Sequence, residues 1–112
     1  MVTATSLDRT FAALGDPARR SIVHTLSLGP ATVKELSAPF AMSRPAVSKH
    51  LRVLKDAGIV TSDARGRQNW YSLREGGLAD ADAWLDEVQS MWATALGSLK
   101  QFVEEANDVH GE

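Results

Sequence analysis

The stretch from Thr32 to Gly58 constrains the fold most. Thr32-Val33-Lys34-Glu35 has the form of a capping box. In such a box the Thr oxygen accepts from the amide three residues on, and the Glu reaches back. A short helix follows, to about Pro39 or Phe40. Met42-Ser43 then makes a tight connector, and Ser43 can cap a longer helix with Pro45 in its first turn. That helix runs to about Ala57, where Gly58 supplies a left-handed turn. Short helix, tight connector and capped long helix form a helix-turn-helix over residues 32–57.

The flanking segments extend this core. Ser6 to Leu14 reads as a helix capped by Ser6 and stopped by Gly15, with Leu7, Phe11 and Leu14 on one stripe. Asp16-Pro17 starts another, to about Leu28, with Ile22, Val23 and Leu26 inward. Residues 59–73 read as a β-hairpin. Ile59 to Ser62 is β-branched, Gln68 to Leu73 contains Trp70 and Tyr71, and Arg65-Gly66-Arg67 is the turn. Trp70 and Tyr71 point to opposite faces, one onto the helices and one nearer solvent. After Glu75-Gly76-Gly77, residues 78–106 read as one long helix. Its apolar positions Trp84/Leu85, Val88, Met91/Trp92, Ala95/Leu96, Leu99 and Phe102/Val103 alternate steps of three and four. Residues 107–112 should fray. The predicted fold is mainly α with a small β-hairpin. It is a winged helix-turn-helix in the order α-α-α-α-β-β-α, one domain over residues 1–112 with a long C-terminal helix.

The helix from Arg44 divides into two faces. At about 100° per residue, Arg44, Pro45, Ser48, Lys49, Arg52, Lys55 and Asp56 share one arc. Ala46, Val47, His50, Leu51, Val53, Leu54 and Ala57 share the other. One face can pack inward, and the other carries four cations, a hydroxyl and one acid. Cations attract phosphates, and guanidinium groups can read guanine edges in the major groove. N-terminal residues of a recognition helix reach bases, so Arg44 and Ser48 are the first candidates and Lys49 the next. Arg52 and Lys55 fit phosphate contacts, and Ser43 at the cap can set backbone N–H groups against a phosphate. Arg65 and Arg67 on the hairpin can enter a minor groove or grip the backbone. The partner these residues select is double-stranded DNA.

Net charge over the whole chain points the other way. The 112-residue chain carries −2. Residues 1–75, however, hold eleven Lys/Arg against six Asp/Glu, a balance of +5. Residues 76–112 hold one cation against eight acids, a balance of −7. The two parts are suited to different jobs. Cysteine is absent, which removes disulfides, thiolate metal sites and cysteine nucleophiles. No apolar run approaches a membrane span, and Met1 to Ser6 has no leader-like pattern, so a cytoplasmic protein without membrane contact is expected.

Leu14-Gly15-Asp16-Pro17-Ala18-Arg19-Arg20-Ser21-Ile22, Glu35-Leu36, Met42 through Leu51 and Leu54 through Val60 resemble the ArsR/SmtB-type winged-helix repressors. The resemblance is strong over residues 7–75 and extends to the last helix by pattern. It implies a dimeric transcriptional regulator of bacteria or archaea, with the first and last helices (6–14 and 78–106) at the dimer interface. It implies that a ligand commonly releases DNA, and it places Arg44, Ser48 and Lys49 among base-reading positions. The chain departs from the metal sensors of that family. Arsenic sensors carry Cys-x-Cys just after Glu-Leu, whereas Ser37-Ala38-Pro39 stands here. Zinc-type sensors use Asp and His across the last helices, and this helix has acids but no histidine before His110. No metal and no cofactor are expected.

His24 reads as structural, His50 as an edge residue bonding a backbone group or phosphate, and His110 as inert. No catalytic arrangement emerges, so an enzyme is not expected. Leu7, Phe11, Leu14, Leu85, Val88, Trp92, Leu96, Leu99 and Phe102 are candidates for a homodimer seam. A 112-residue monomer would struggle to bury so apolar a helix. A pocket for a small-molecule effector at the seam stays open. The function that follows is a homodimeric repressor on an inverted-repeat operator, and the alternative is a winged-helix protein-interaction module.

Overall fold

The computed structural model describes residues 5–110, with side chains through residue 108. Residues 1–4, read above as lacking a leader, and the His110 side chain lie outside the described residues. The chain divides into two bodies, one through Ala81 and one from Asp82 onward.

In the first body, helix α1 (Ser6–Leu14) is capped by Thr5 rather than Ser6. Asp8 decides this. Thr5 Oγ1 accepts from the Asp8 amide at 3.1 Å, and the Asp8 carboxylate accepts from the Thr5 amide at 3.1 Å. Two orphan donors are satisfied at once, whereas Ser6 has Arg9 at the matching position. Helix α2 (Pro17–Leu26) is capped by Asp16 and stops short of Leu28. A two-residue strand β1 (Ala31–Thr32) follows, then α3 (Val33–Ser37), which the Thr32–Glu35 capping box starts. Helix α3 ends before Pro39, which has no N–H to carry the ladder further. Helix α4 (Arg44–Asp56) is capped by Ser43.

Strands β2 (Val60–Arg65) and β3 (Gln68–Leu73) pair antiparallel from Val60↔Leu73 to Arg65↔Gln68. Gly66 has φ +64°, and Arg67 beside it has no positive φ. A two-residue hairpin turn with glycine first requires this combination. Strand β1 lies on the other edge of β3, paired Ala31↔Tyr71 and Thr32↔Trp70. The expected hairpin is therefore two strands of a three-stranded sheet, ordered β1-β3-β2.

Ile22, Leu36, Val47, Leu51, Leu54, Ile59 and Val60 are fully buried and form the centre of this body. Helix α1 contributes Ala13 and Thr10, not the more apolar stripe. Thr10 can be buried because its hydroxyl donates to the Ser6 carbonyl at 2.9 Å. Leu14 packs at the edge of the core, Leu7 is half-buried and Phe11 exposed. Tyr71 packs against the core, while Trp70, which the pleat turns the other way, is half-buried.

The last helix, α5 (Ala79–His110), begins one position later than expected and passes the expected stop at Ala106. Between Gly97 and Gly111 the sequence has no glycine or proline to end it. In the second body it exposes Met91, Trp92, Leu96, Leu99 and Phe102, each more than half accessible. No described helix is long and apolar enough to cross a membrane.

Candidate nucleic-acid interface

Helix α4 is oriented by its buried side. Val47, Leu51 and Leu54 recur at spacings of four and three and are all inaccessible. The opposite side then faces solvent. Arg44, Pro45, Ser48, Lys49, Arg52, Lys55 and Asp56 are all exposed. Val53, placed on the inward arc by its angle, stands at the boundary with 37% accessibility. Pro45, Ala46, Ser48, Lys49 and Arg52 line a shallow groove of about 550 Å³. Ser43 Oγ accepts from the Ala46 amide at 3.3 Å, which occupies one orphan donor of the first turn.

Partners separate the cations. Arg19 is structural. Its Nε donates to the Ala13 carbonyl at 2.6 Å and its Nη2 to the Ala12 carbonyl at 3.2 Å. Its Nη1 meets His50 Nδ1 at 3.3 Å, so the imidazole must accept there. His50 thus bonds a side chain on α2 rather than the backbone or phosphate expected of it. Arg20 donates to the Leu14 carbonyl at 2.7 Å. Lys55 donates to Ser62 Oγ at 2.7 Å, which ties the end of α4 to β2. Arg65 Nε pairs with Asp63 at 3.3 Å, both well exposed. In contrast, the side chains of Arg44, Lys49, Arg52 and Arg67 bond no other described residue. Asp16 is held below its ordinary pKa. The largest cause is its bond from the Arg19 amide, joined by the Ala18 amide and the Arg19 charge against a smaller opposing cost of desolvation.

Arg44 also lines a second hollow, of about 220 Å³, with Thr32, Val33, Lys34, Gln68 and Asn69. Sequence reasoning did not assemble this group because β1, which brings α3 to β3, is only two residues long. His24, read as structural, stands exposed on α2. Among the described residues no three His, Cys, Asp or Glu side chains are placed to hold a metal.

Residues 16–62 match the model of "Bacterial regulatory protein, arsR family". The chain is 41% identical to the HTH-type transcriptional regulator Rv2034 of Mycobacterium tuberculosis, over 96% of this chain and 98% of that one. It belongs to the arsR family. The transcriptional repressor SdpR of Bacillus subtilis is 33% identical over 70% of this chain and 88% of its own. The crystal structure of the ArsR family transcriptional regulator RHA00566 matches with TM-score 0.74 and 38% identity, over 80% of this chain and 98% of that one. The protein is thus a transcriptional regulator with the DNA-binding winged-helix fold of the arsR family, whose members are regulators rather than enzymes. Where the arsenic sensors carry the first cysteine after Glu-Leu, this member has Ser37. Its buried hydroxyl donates to the Val33 carbonyl at 2.6 Å and so serves the helix.

Proposed function

We propose that this arsR-family regulator is a homodimeric repressor that binds an inverted-repeat operator and does not respond to thiophilic metals. The observation that carries the reading is the solvent face of α4, where Arg44, Lys49 and Arg52 stand beside Ser48 without partners among the described residues. Arg44 and Ser48 would meet base edges, with Lys49 next, and Pro45 would shape the first turn between them. Arg52 and Lys55 would meet phosphates, Ser43 would present amides to one, and Arg65 and Arg67 would grip the flanking duplex. Arg65 can do so because its exposed pair with Asp63 costs little to break.

A homodimer would cover the apolar surface. Leu85, Val88, Trp92, Leu96, Leu99 and Phe102 on α5 are the seam residues, with Leu7, Phe11 and Leu14 on α1. Val88, Met91, Trp92, Ala95, Leu96 and Leu99 line a concave apolar strip of about 430 Å³. Two copies related by a two-fold axis would set recognition helices about 34 Å apart, one DNA turn. Repression is supported by the relative named as a repressor.

The test is selection of random duplexes by the purified protein, followed by sequencing. A two-fold symmetric motif is expected. Arg44→Ala should then weaken binding to it by about 1–3 kcal/mol and relax the preference. A selection that enriches no sequence would overturn the reading in favour of a protein-interaction module.

A further inference from the structure

The shortest strand has a positional consequence. Its rungs Ala31↔Tyr71 and Thr32↔Trp70 pin the start of α3 to β3. The chain turns helical directly after these rungs, so Val33 and Lys34 in the first turn of α3 stand near Asn69 and Gln68 of β3. Arg44 enters the same place from the first turn of α4. Together these residues line the hollow of about 220 Å³.

The chemistry of that hollow is one-sided. It holds an ammonium, a guanidinium and two carboxamides, all exposed. None of these side chains bonds another described residue. No carboxylate lines it. The nearest acid in sequence, Glu35, turns to the cap, where its Oε1 accepts from the Thr32 amide and hydroxyl, each at 3.1 Å. Positive charge with several free N–H donors and no described carboxylate suits a phosphodiester. That group has one negative charge and two acceptor oxygens, and carboxamides and amines commonly bind it.

We propose that Lys34, Gln68 and Asn69 form a further DNA contact, a cradle for one backbone phosphate of the operator beside the base edge met by Arg44. The inference rests on the DNA-binding reading above and deepens it. The cradle lies on α3 and β3 and adjoins Arg44 of α4, so a phosphate held there would fix the recognition helix and the wing on one DNA strand. A phosphate carries no sequence information, so its effect is on affinity for every duplex, unlike that of Arg44.

The experiment measures binding by fluorescence anisotropy over a range of salt, with the selected operator and a scrambled duplex. The proteins are the wild type, Lys34→Ala, the double variant Gln68→Ala with Asn69→Ala, and Arg44→Ala. Thermal melts confirm that each is folded. Lys34→Ala should weaken both duplexes by the same factor, roughly five- to tenfold, and flatten the salt slope by about one. The double variant should weaken both equally with little change in slope, since it removes no charge. Duplexes with single methylphosphonate substitutions should reveal one phosphate whose neutralisation harms the wild type and not Lys34→Ala. Folded variants with unchanged affinity and slope would overturn the cradle while leaving the DNA reading intact. So would losses confined to the selected operator, which would make these residues base readers. A wild type that binds neither duplex would overturn both readings.

Discussion

Arg19 is the side chain whose removal most directly tests how α2 is tied to α1 and, more weakly, to the recognition helix. Its guanidinium spans three helices. The strong bond runs from Nε to the Ala13 carbonyl at 2.6 Å, at the end of α1 where carbonyls lack helical partners. A hydrogen bond from a charged donor contributes about 1.5–3 kcal/mol. The bond to the Ala12 carbonyl is longer and exposed, and the bond to His50 at 3.3 Å is weak, so together they add about 0.5–1 kcal/mol. The Asp16 carboxylate, 3.9 Å away, is screened by water and is left out of the sum. With the side chain 18% accessible, water recovers part of the loss. Arg19→Ala should therefore destabilise the fold by about 2–3 kcal/mol. At a urea m-value of about 1.5 kcal/mol/M, the midpoint falls by roughly 1.3–2 M. Wild type and variant are compared at one protein concentration, because the stability of any self-associating protein depends on it. Arg19→Lys should recover only a fraction, since one ammonium cannot follow the fork of directions that the guanidinium uses. An Arg19→Ala midpoint within about 0.3 M of wild type would refute the anchoring argument, at the same m-value. A fully stable Arg19→Lys would refute the need for a fork.

Leu51 is inaccessible at the centre of the inner face of α4, so Leu51→Ala should cost about 2–5 kcal/mol in urea titrations. Asp16 has its pKa lowered in the folded state, so its charge stabilises above the ordinary aspartate pKa. That stability is lost as pH falls through the lowered folded value. Asp16→Asn, which keeps a capping oxygen, should thus be less stable than wild type at neutral pH and approach it in acid. A gap that widens on acidification would show the sign to be wrong. Gly66→Ala should lower stability by about 1 kcal/mol through its φ of +64° alone, because a Cβ there meets nothing within 4 Å. A thermal melt reads this, and Gly66→Asn should do less harm. Leu96→Glu should convert dimers to monomers in sedimentation velocity, and an unchanged mass would remove Leu96 from the seam.

The elements legible in the sequence are those whose signals are local. Helix α4 declares itself through the Ser43 cap, Pro45 in the first turn, apolar spacing and Gly58, all within sixteen residues. Thr5 with Asp8 is equally local, and the adjacent Ser6 concealed it. Strand β1 is invisible for a different reason. Two residues carry no period, and Thr32 already has an evident use as a helix cap. Its pairing with Trp70 depends on the path of the intervening chain. Hydrophobicity also misdirects on α1, where the side chains that enter the core are Ala13 and a Thr10 with its hydroxyl satisfied within the helix. The more apolar Leu7 and Phe11 stay nearer the surface.

Charge counting has the same limit. The +5 of the first 75 residues includes Arg19 and Arg20, which bond carbonyls of α1, Lys55, which bonds Ser62, and Arg65, which pairs with Asp63. A formal charge in the sequence does not distinguish these from Arg44, Lys49, Arg52 and Arg67. The partners of Arg19 lie 6, 7 and 31 residues away, too far for any local pattern. Once the partnered cations are set aside, seven of the eleven remain without a partner among the described residues: Arg44, Lys49 and Arg52 share one face of α4, Arg67 lies on the hairpin turn and Lys34 at the start of α3, and Arg9 and Arg74 stand elsewhere. A nucleic-acid surface is therefore supported by the clustering of unpartnered cations on α4, and not by the net charge of the segment that carries them.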